Sequence, residues 1–323
     1  PNSLSDDGVF SSHMDRAGIL WVGTVAGGLN RLDPGQGTFT RYRFDSTNPQ
    51  SLSADRVWCI YEDRSKALWV GTEAGLDRLD PASGTFVHYR HDPQDPTSLS
   101  HNIVRSIFED RLGNLWIGTQ DGLNRYDGYR FKVYKHDRDD PASLPNNLVW
   151  SIAEDAAGDL WVATEGGGIA RWERKTGRFV RYAHREGDGR SLASDVARTL
   201  YLDRSGAVWV GTRDAGLDRL DPRTGFFTHF RHDAANPSSL SQDSVYAVLE
   251  DRVLAIVREL AAEVGGARAQ RAVAPEASLE RDVGLGSLQS LELLIRLERA
   301  FGRTLDERFL EIETPTALAT ALP

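Results

Sequence analysis

Cysteine is all but missing from this sequence: Cys59 stands alone, so the chain cannot close a disulfide on itself. That fits a reducing compartment, and it fits equally the disulfide-free proteins of oxidising ones. Long apolar runs are missing too, and none approaches the roughly 20 residues of a membrane-spanning helix. Positive charge is in deficit. With 38 Lys and Arg against 47 Asp and Glu, the net charge of -9 argues against a nucleic-acid binder, which needs a basic face to neutralise phosphates. Basic protein partners stay open. The first residues, Pro1-Asn-Ser-Leu-Ser-Asp-Asp7, show no basic stretch followed by an apolar core, so no secretory signal is read there; a mature or trimmed chain reads the same way. No phosphate-binding loop, zinc spacing or nucleophile–base constellation occurs. Acidic loops such as Asp137-Arg-Asp-Asp140 lack calcium-loop spacing, so neither catalytic residues nor a metal site is expected.

What the chain does have is repetition. Trp21, Trp69, Trp116, Trp161 and Trp209 lie 45 to 48 residues apart, inside Leu20-Trp-Val-Gly-Thr24 and its four echoes, of which the third reads Leu160-Trp-Val-Ala-Thr164. An Asp stands six residues before each: Asp15, Asp63, Asp110, Asp155 and Asp203. A Ser-Leu pair opens every unit, from Ser3 through Ser51, Ser98, Ser143 and Ser191 to Ser239. The second unit shows the content. Val57-Trp-Cys-Ile-Tyr61 is β-branched and aromatic, Asp63 to Lys66 is a polar turn, and Leu68–Thr72, Leu76–Leu79 and Thr85–Tyr89 follow as strands between Gly- and Pro-marked turns. No helical period is sustained here. Four antiparallel strands per repeat of 45 to 48 residues is the arrangement of a β-propeller.

Asp-x-x-Gly-x-Leu-Trp-Val-Gly-Thr-x-x-Gly-Leu-x-Arg-Leu-Asp resembles the two-component-regulator propeller repeat, over about residues 1–252. That resemblance implies the sensor half of a hybrid histidine kinase, a binding scaffold rather than an enzyme. The sixth unit starts normally at Ser239 and then departs: Val257 stands where the next Trp is due. Five full blades and one orphan inner strand are therefore expected. Either five blades close with a surplus strand, or a larger propeller is truncated and keeps open edges.

From about Arg252 the period becomes helical. Val253, Ile256, Val257, Leu260 and Val264 share a helix face, and Gly265-Gly266 ends it. After a long loop, helices are expected at Ser287–Phe301, near Asp306–Leu310 and from Pro315. Residues 253–323 thus read as an all-α four-helix domain behind the all-β propeller of 1–252. Asp282-Val-Gly-Leu-Gly-Ser287-Leu-Gln-Ser-Leu-Glu292 resembles the acyl and peptidyl carrier proteins. The resemblance puts 4′-phosphopantetheine on Ser287, with a phosphopantetheinyl transferase and acyl-activating or acyl-transferring enzymes as partners. It has Gly286 where the family commonly carries Asp. Independently of the family, a serine opening a helix after glycines exposes its hydroxyl where backbone N–H groups and the helix dipole favour a phosphodiester; the plainer reading is an N-cap. Asp282, Glu292 and Glu298 offer negative charge for docking, or simply form a solvated face.

Other candidates read as structure. His88 and His91, like His229 and His232, are three apart on strands and so point to opposite faces, which does not suit a metal. Cys59 falls in a column of small residues, Ser11, Ser106, Ser151, Thr199 and Ala247, and reads as packing. The repeated Trp residues read as core between blades. One column is different. Phe10, Trp58, Arg105, Trp150, Arg198 and Tyr246 open the inner strands and hold only aromatics and arginines. Such a ring at the channel suits a carbohydrate, above all an anionic oligosaccharide, or another small ligand; its plainer role is packing between blades. Two functions follow: a carrier of acyl thioesters with an accessory propeller, or a ligand-sensing propeller whose helical tail is unmodified. Neither is an enzyme. Without an export signal, and because coenzyme A is cytosolic, the cytoplasm is expected, although the propeller family is mostly periplasmic.

Overall fold

In a computed structural model of the chain, residues 3–246 are described, apart from 34, 204, 237 and 238. They belong to the first of two units into which the chain divides, Pro1–Val248 and Leu249–Pro323. The helices expected in 253–323 and the end of the orphan strand lie outside the described residues.

Twenty strands form five four-stranded antiparallel sheets, each built from consecutive strands, as the repeat requires. The first holds β1 (Val9–Met14), β2 (Leu20–Thr24), β3 (Leu29–Asp33) and β4 (Thr38–Tyr42). The second holds β5 (Val57–Glu62), β6 (Leu68–Thr72), β7 (Leu76–Asp80) and β8 (Thr85–Tyr89). The third holds β9 (Val104–Glu109), β10 (Leu115–Thr119), β11 (Gly122–Tyr126) and β12 (Phe131–Tyr134). The fourth holds β13 (Val149–Glu154), β14 (Leu160–Thr164), β15 (Gly168–Glu173) and β16 (Arg178–Tyr182). The fifth holds β17 (Ala197–Leu202), β18 (Val208–Thr212), β19 (Leu217–Asp221) and β20 (Phe226–Phe230). The expected five full blades are thus present.

The conserved spacing of Asp and Trp within the chain has a direct cause. Asp63 closes the turn between β5 and β6: its Oδ1 accepts from the Ala67 N–H at 2.9 Å, and its Oδ2 accepts from Trp69 Nε1 at 2.8 Å. The same Asp–indole bond, 2.9 to 3.0 Å long, recurs from Trp21, Trp116, Trp161 and Trp209. One carboxylate therefore satisfies the turn backbone and fixes the rotamer of a core side chain. In four blades an Arg across the sheet lies over the same indole, at 5.7 to 5.9 Å, which accounts for the Arg of the repeat.

The core lies between blades. Trp69, Leu76 and Leu99 pack against Val104, Leu115 and Ile117 of the next sheet, and three equivalent clusters fill the other joints. Trp116 and Trp161 are fully buried, as the repeated column predicted. The Leu of the four inner Ser-Leu pairs is a fully buried plug (Leu52, Leu99, Leu144, Leu192), whereas Leu4 and Leu240 at the two ends are half-buried; Ser51 and Ser98 accept from the N–H of Asp45 and Asp92 to close the crossover loops.

Inner strands follow in the order β1, β5, β9, β13, β17, each against the next, whereas β17 and β1 do not pack in this way among the described residues. Exposure agrees: Val57, Val104 and Val149 are completely buried by the preceding blade, but the equivalent Val9 is 48% exposed. Among the described residues the arc of five blades is open. Its last crossover is built like the others, with His232 Nδ1 2.7 Å from the Leu240 carbonyl and the Val245 N–H on the Thr212 carbonyl at 2.8 Å.

The histidines are braces. His91, His136 and His184 each place Nδ1 2.7 to 2.9 Å from the carbonyl of the plug leucine. His88 is held on both sides: Nδ1 lies 2.7 Å from the buried Asp77 carboxylate and Nε2 3.0 Å from the Pro49 carbonyl. Both partners accept, so the imidazolium is the form that satisfies both bonds. The bond to Asp77 raises the His88 pKa above its ordinary value, against the opposing effect of burial. A raised pKa in the folded state means that the stabilisation is fully present below the ordinary histidine value and is lost as the pH rises through the raised one. The urea midpoint of the propeller is therefore expected to fall between about pH 6 and 8, and less steeply in His88→Gln. Identical slopes in the two proteins would show that this brace is not titrating.

Candidate functional site

The aromatic and arginine column assembles as one stack on the inner strands. Phe10 on β1 stacks on Trp58 of β5, ring centroids 4.3 Å apart. Arg105 of β9 lays its guanidinium over Trp58 at 3.7 Å and over Trp150 of β13 at 4.7 Å. Arg198 of β17 covers Trp150 at 3.9 Å. Aromatic and cationic planes thus alternate from blade to blade, an arrangement in which each guanidinium meets the negative face of an indole. Tyr246 does not join it: it is 69% exposed and makes no ring contact among the described residues.

A second column completes the site, and it was not singled out from the sequence. Fifteen residues after each member of the stack, just past the Thr of the second strand, stand Val25, Glu73, Gln120, Glu165 and Arg213. Glu165 accepts from Trp150 Nε1 at 2.7 Å and pairs with Arg198 at 3.2 Å and Arg213 at 3.1 Å. Glu73 pairs with Arg56 at 3.2 Å. Gln120 offers Arg105 one long bond of 3.4 Å. The legible signal was the constant spacing with complementary chemistry.

Arg105 is the unmatched member. Its Nε and Nη1 are buried without an acceptor among the described residues, as is Trp58 Nε1. Burial first, then the neighbouring Arg198 and Arg56, lower its pKa to about 10, so it stays charged at neutral pH while the local field is in positive excess. Cys59, close by, is a packing residue as expected: burial pushes its thiol up to about 12, which leaves no thiolate for nucleophilic chemistry. No cluster of metal-ligating side chains occurs among the described residues. No helix among them is long and apolar enough to cross a membrane. The other candidate site, Ser287 with Asp282, Glu292 and Glu298, lies outside the described residues.

Residues 51–74, 98–121 and 143–166 match the two component regulator propeller family, each segment starting at a Ser-Leu pair. Residues 255–322 match the phosphopantetheine attachment site family. The chain therefore carries two-component regulator propeller repeats and a phosphopantetheine-binding carrier domain, both non-catalytic modules. No curated protein matches it. Among solved structures, the extracellular domain of a hybrid two component system from B. thetaiotaomicron superposes with a TM-score of 0.62 at 24% identity, over 76% of this chain and 38% of that one. PorZ, a surface component of the type-IX secretion system of Porphyromonas gingivalis, gives 0.54 at 19% identity, over 74% of this chain and 35% of that one. Virginiamycin B lyase from Staphylococcus aureus gives 0.53 at 15%, over 71% of this chain and 72% of that one. These likenesses show the propeller fold, and the chain spans well under half the length of the first two.

Proposed function

We propose that the chain is a carrier of acyl groups with a ligand-binding propeller attached, acting as two modules, 1–252 and 253–323. The observation that carries this is the attachment-site match over residues 255–322, within which Ser287 follows Gly284-Leu-Gly286 at the predicted start of a helix. In this reading the Ser287 hydroxyl attacks the pyrophosphate of coenzyme A on a transferase, losing its proton and releasing the bisphosphorylated adenosine as the new phosphodiester forms. The arm, once attached, supplies a thiol for thioester formation. Asp282, Glu292 and Glu298 present negative charge to the basic surfaces of the transferase and of acyl-handling enzymes. The chain itself breaks no bond of the acyl group. Loading draws on coenzyme A and so places that step in the cytoplasm. The stack of Phe10, Trp58, Arg105, Trp150 and Arg198 gives the propeller its ligand site, carbohydrate or another small molecule.

Intact-protein mass spectrometry tests the carrier reading. Incubation with coenzyme A, magnesium and a broad-specificity phosphopantetheinyl transferase is expected to add one phosphopantetheinyl group to the full chain, and none to Ser287→Ala. Absence of any gain with several transferases, from protein whose tryptophan fluorescence is native, would leave the propeller as the functional part.

A further inference from the structure

The stacked ring decides which kind of ligand it takes. Trp58 is covered on one side by Phe10 and on the other by Arg105, and Trp150 lies between Arg105 and Arg198. Neither indole keeps a free face on which a neutral sugar could stack. What the ring offers is edges, and these are donors. Four guanidinium groups, Arg56, Arg105, Arg198 and Arg213, share two carboxylates, Glu73 and Glu165. The pairs Arg56–Glu73 and Arg198–Glu165–Arg213 leave Arg105, among the described residues, with the amide of Gln120 as its one hydrogen-bond acceptor. Gln120 occupies the column in which the second and fourth blades carry Glu. Of the two arginines in the stack, Arg198 has a carboxylate partner and Arg105, at the middle of the stack, has none among the described residues. Buried guanidinium N–H groups without acceptors destabilise the fold, and an acceptor that meets two of them together recovers that loss.

We propose that the propeller binds an oxyanion at Arg105: a carboxylate or sulfate group of a small ligand, which supplies the counter-ion that Gln120 does not. This rests on the stacked ring being the propeller's ligand site. The indole N–H of Trp58 is a further donor within the stack, and the covered aromatic faces hold the guanidinium plane in register so that its edge is presented without loss of side-chain freedom on binding. Selectivity is for charge and acceptor geometry, since a monatomic anion cannot accept two parallel N–H bonds at once.

All eight tryptophans precede residue 247, so indole fluorescence reports on the propeller alone in the full chain. Sodium sulfate and sodium glucuronate, titrated at matched ionic strength against sodium chloride, are expected to saturate a fluorescence change and raise the thermal midpoint. Glucose and chloride are expected to do neither, and the tighter of the two oxyanions identifies the ligand as sulfated or carboxylated. Arg105→Met is expected to weaken binding at least tenfold. Gln120→Glu guards against misfolding as the explanation: it builds the counter-ion into the protein, so oxyanion binding is lost while the thermal midpoint holds or rises. The proposal is overturned if sulfate and glucuronate act no differently from chloride, or if binding survives Gln120→Glu. A neutral glycan that binds and is lost in Trp58→Ala but kept in Gln120→Glu would overturn the oxyanion while leaving the ring as the ligand site; no binding of any probe would remove both.

Discussion

Asp110→Ala is expected to lower the stability of the propeller by about 3–5 kcal/mol, since it removes one partner of a buried ion pair and leaves the other behind. Asp110 is fully buried and accepts from Trp116 Nε1 at 3.0 Å and from the Leu112 and Asn114 N–H groups at 2.9 Å. It also takes Arg174 Nη2 at 3.0 Å, an arginine that reaches back from the fourth blade and pairs with Glu154 at 3.1 Å as well. Alanine would strand the indole N–H, two turn amides and half the charge compensation of Arg174. The equivalent Asp203→Ala is expected to cost only about 1–2 kcal/mol, because Asp203 is 24% exposed and its arginine, Arg219, stands off at 3.9 Å. Urea titrations read by tryptophan fluorescence compare the two; equal losses would show that the link to the fourth blade contributes nothing.

Acid should reveal the same carboxylate. Burial alone would raise the Asp110 pKa, but the bonds from Trp116, Asn114 and Arg174 outweigh it and hold the group below its ordinary value. A depressed pKa stabilises the fold above the ordinary carboxylate value, and that contribution is lost as the pH falls through the depressed one. Asp63 and Asp203 are shifted the same way, so the wild-type propeller loses stability on acidification from several blades at once.

The interval between Asp and Trp made the blades legible, because one carboxylate spans a turn of fixed length, and any change of spacing would break the bond to the indole. The column from Phe10 to Arg198 was legible as a departure from that regularity. Its partners were not: Glu165 serves Trp150 in its own blade but also Arg198 and Arg213 in the next, a contact across blades that no spacing within one repeat announces. Closure was beyond the sequence for a related reason. Whether β1 and β17 meet depends on the angle between sheets, set by side-chain volumes in the joints, and the text of the repeat is the same for any number of blades. Lys66 was also passed over. It holds φ 69° at the turn position where the other four blades place Gly18, Gly113, Gly158 and Gly206, a substitution visible in the sequence once the turn is known to need a left-handed residue.

The joints themselves hold the second large effect. In the Trp-Val-Gly-Thr motif, a Cβ added to Gly71 would lie 2.7 Å from Val104 Cγ1, and one added to Gly118 would lie 2.6 Å from Val149 Cγ1. The glycine is there because a valine from the next blade rests on it together with the inner-strand side chain of its own blade, Cys59 at Gly71 and Ser106 at Gly118. The fourth blade inverts both choices at once: Ala163 replaces the glycine and Ala197 replaces the valine, and the two are fully buried in one cluster. There Ser151 turns its hydroxyl to accept from the Leu200 N–H at 3.1 Å, whereas its counterpart Ser106, against Gly118, has no hydrogen-bond partner among the described residues. The exchange adds one carbon on the glycine side of the joint and removes two on the valine side, so the space for the first is opened by the second. Gly118→Ala is expected to cost about 1–3 kcal/mol through overpacking, and Val149→Ala about 2–3 kcal/mol through the cavity it leaves. The double variant recreates the joint of the fourth and fifth blades between the third and fourth. It should lose at least about 2 kcal/mol less than the sum of the singles, a coupling of the size found between residues in contact. Urea midpoints of the four proteins measure it; simple additivity would mean that the joint relaxes around either residue alone, and that the pairing of alanines in the fourth blade carries no energy.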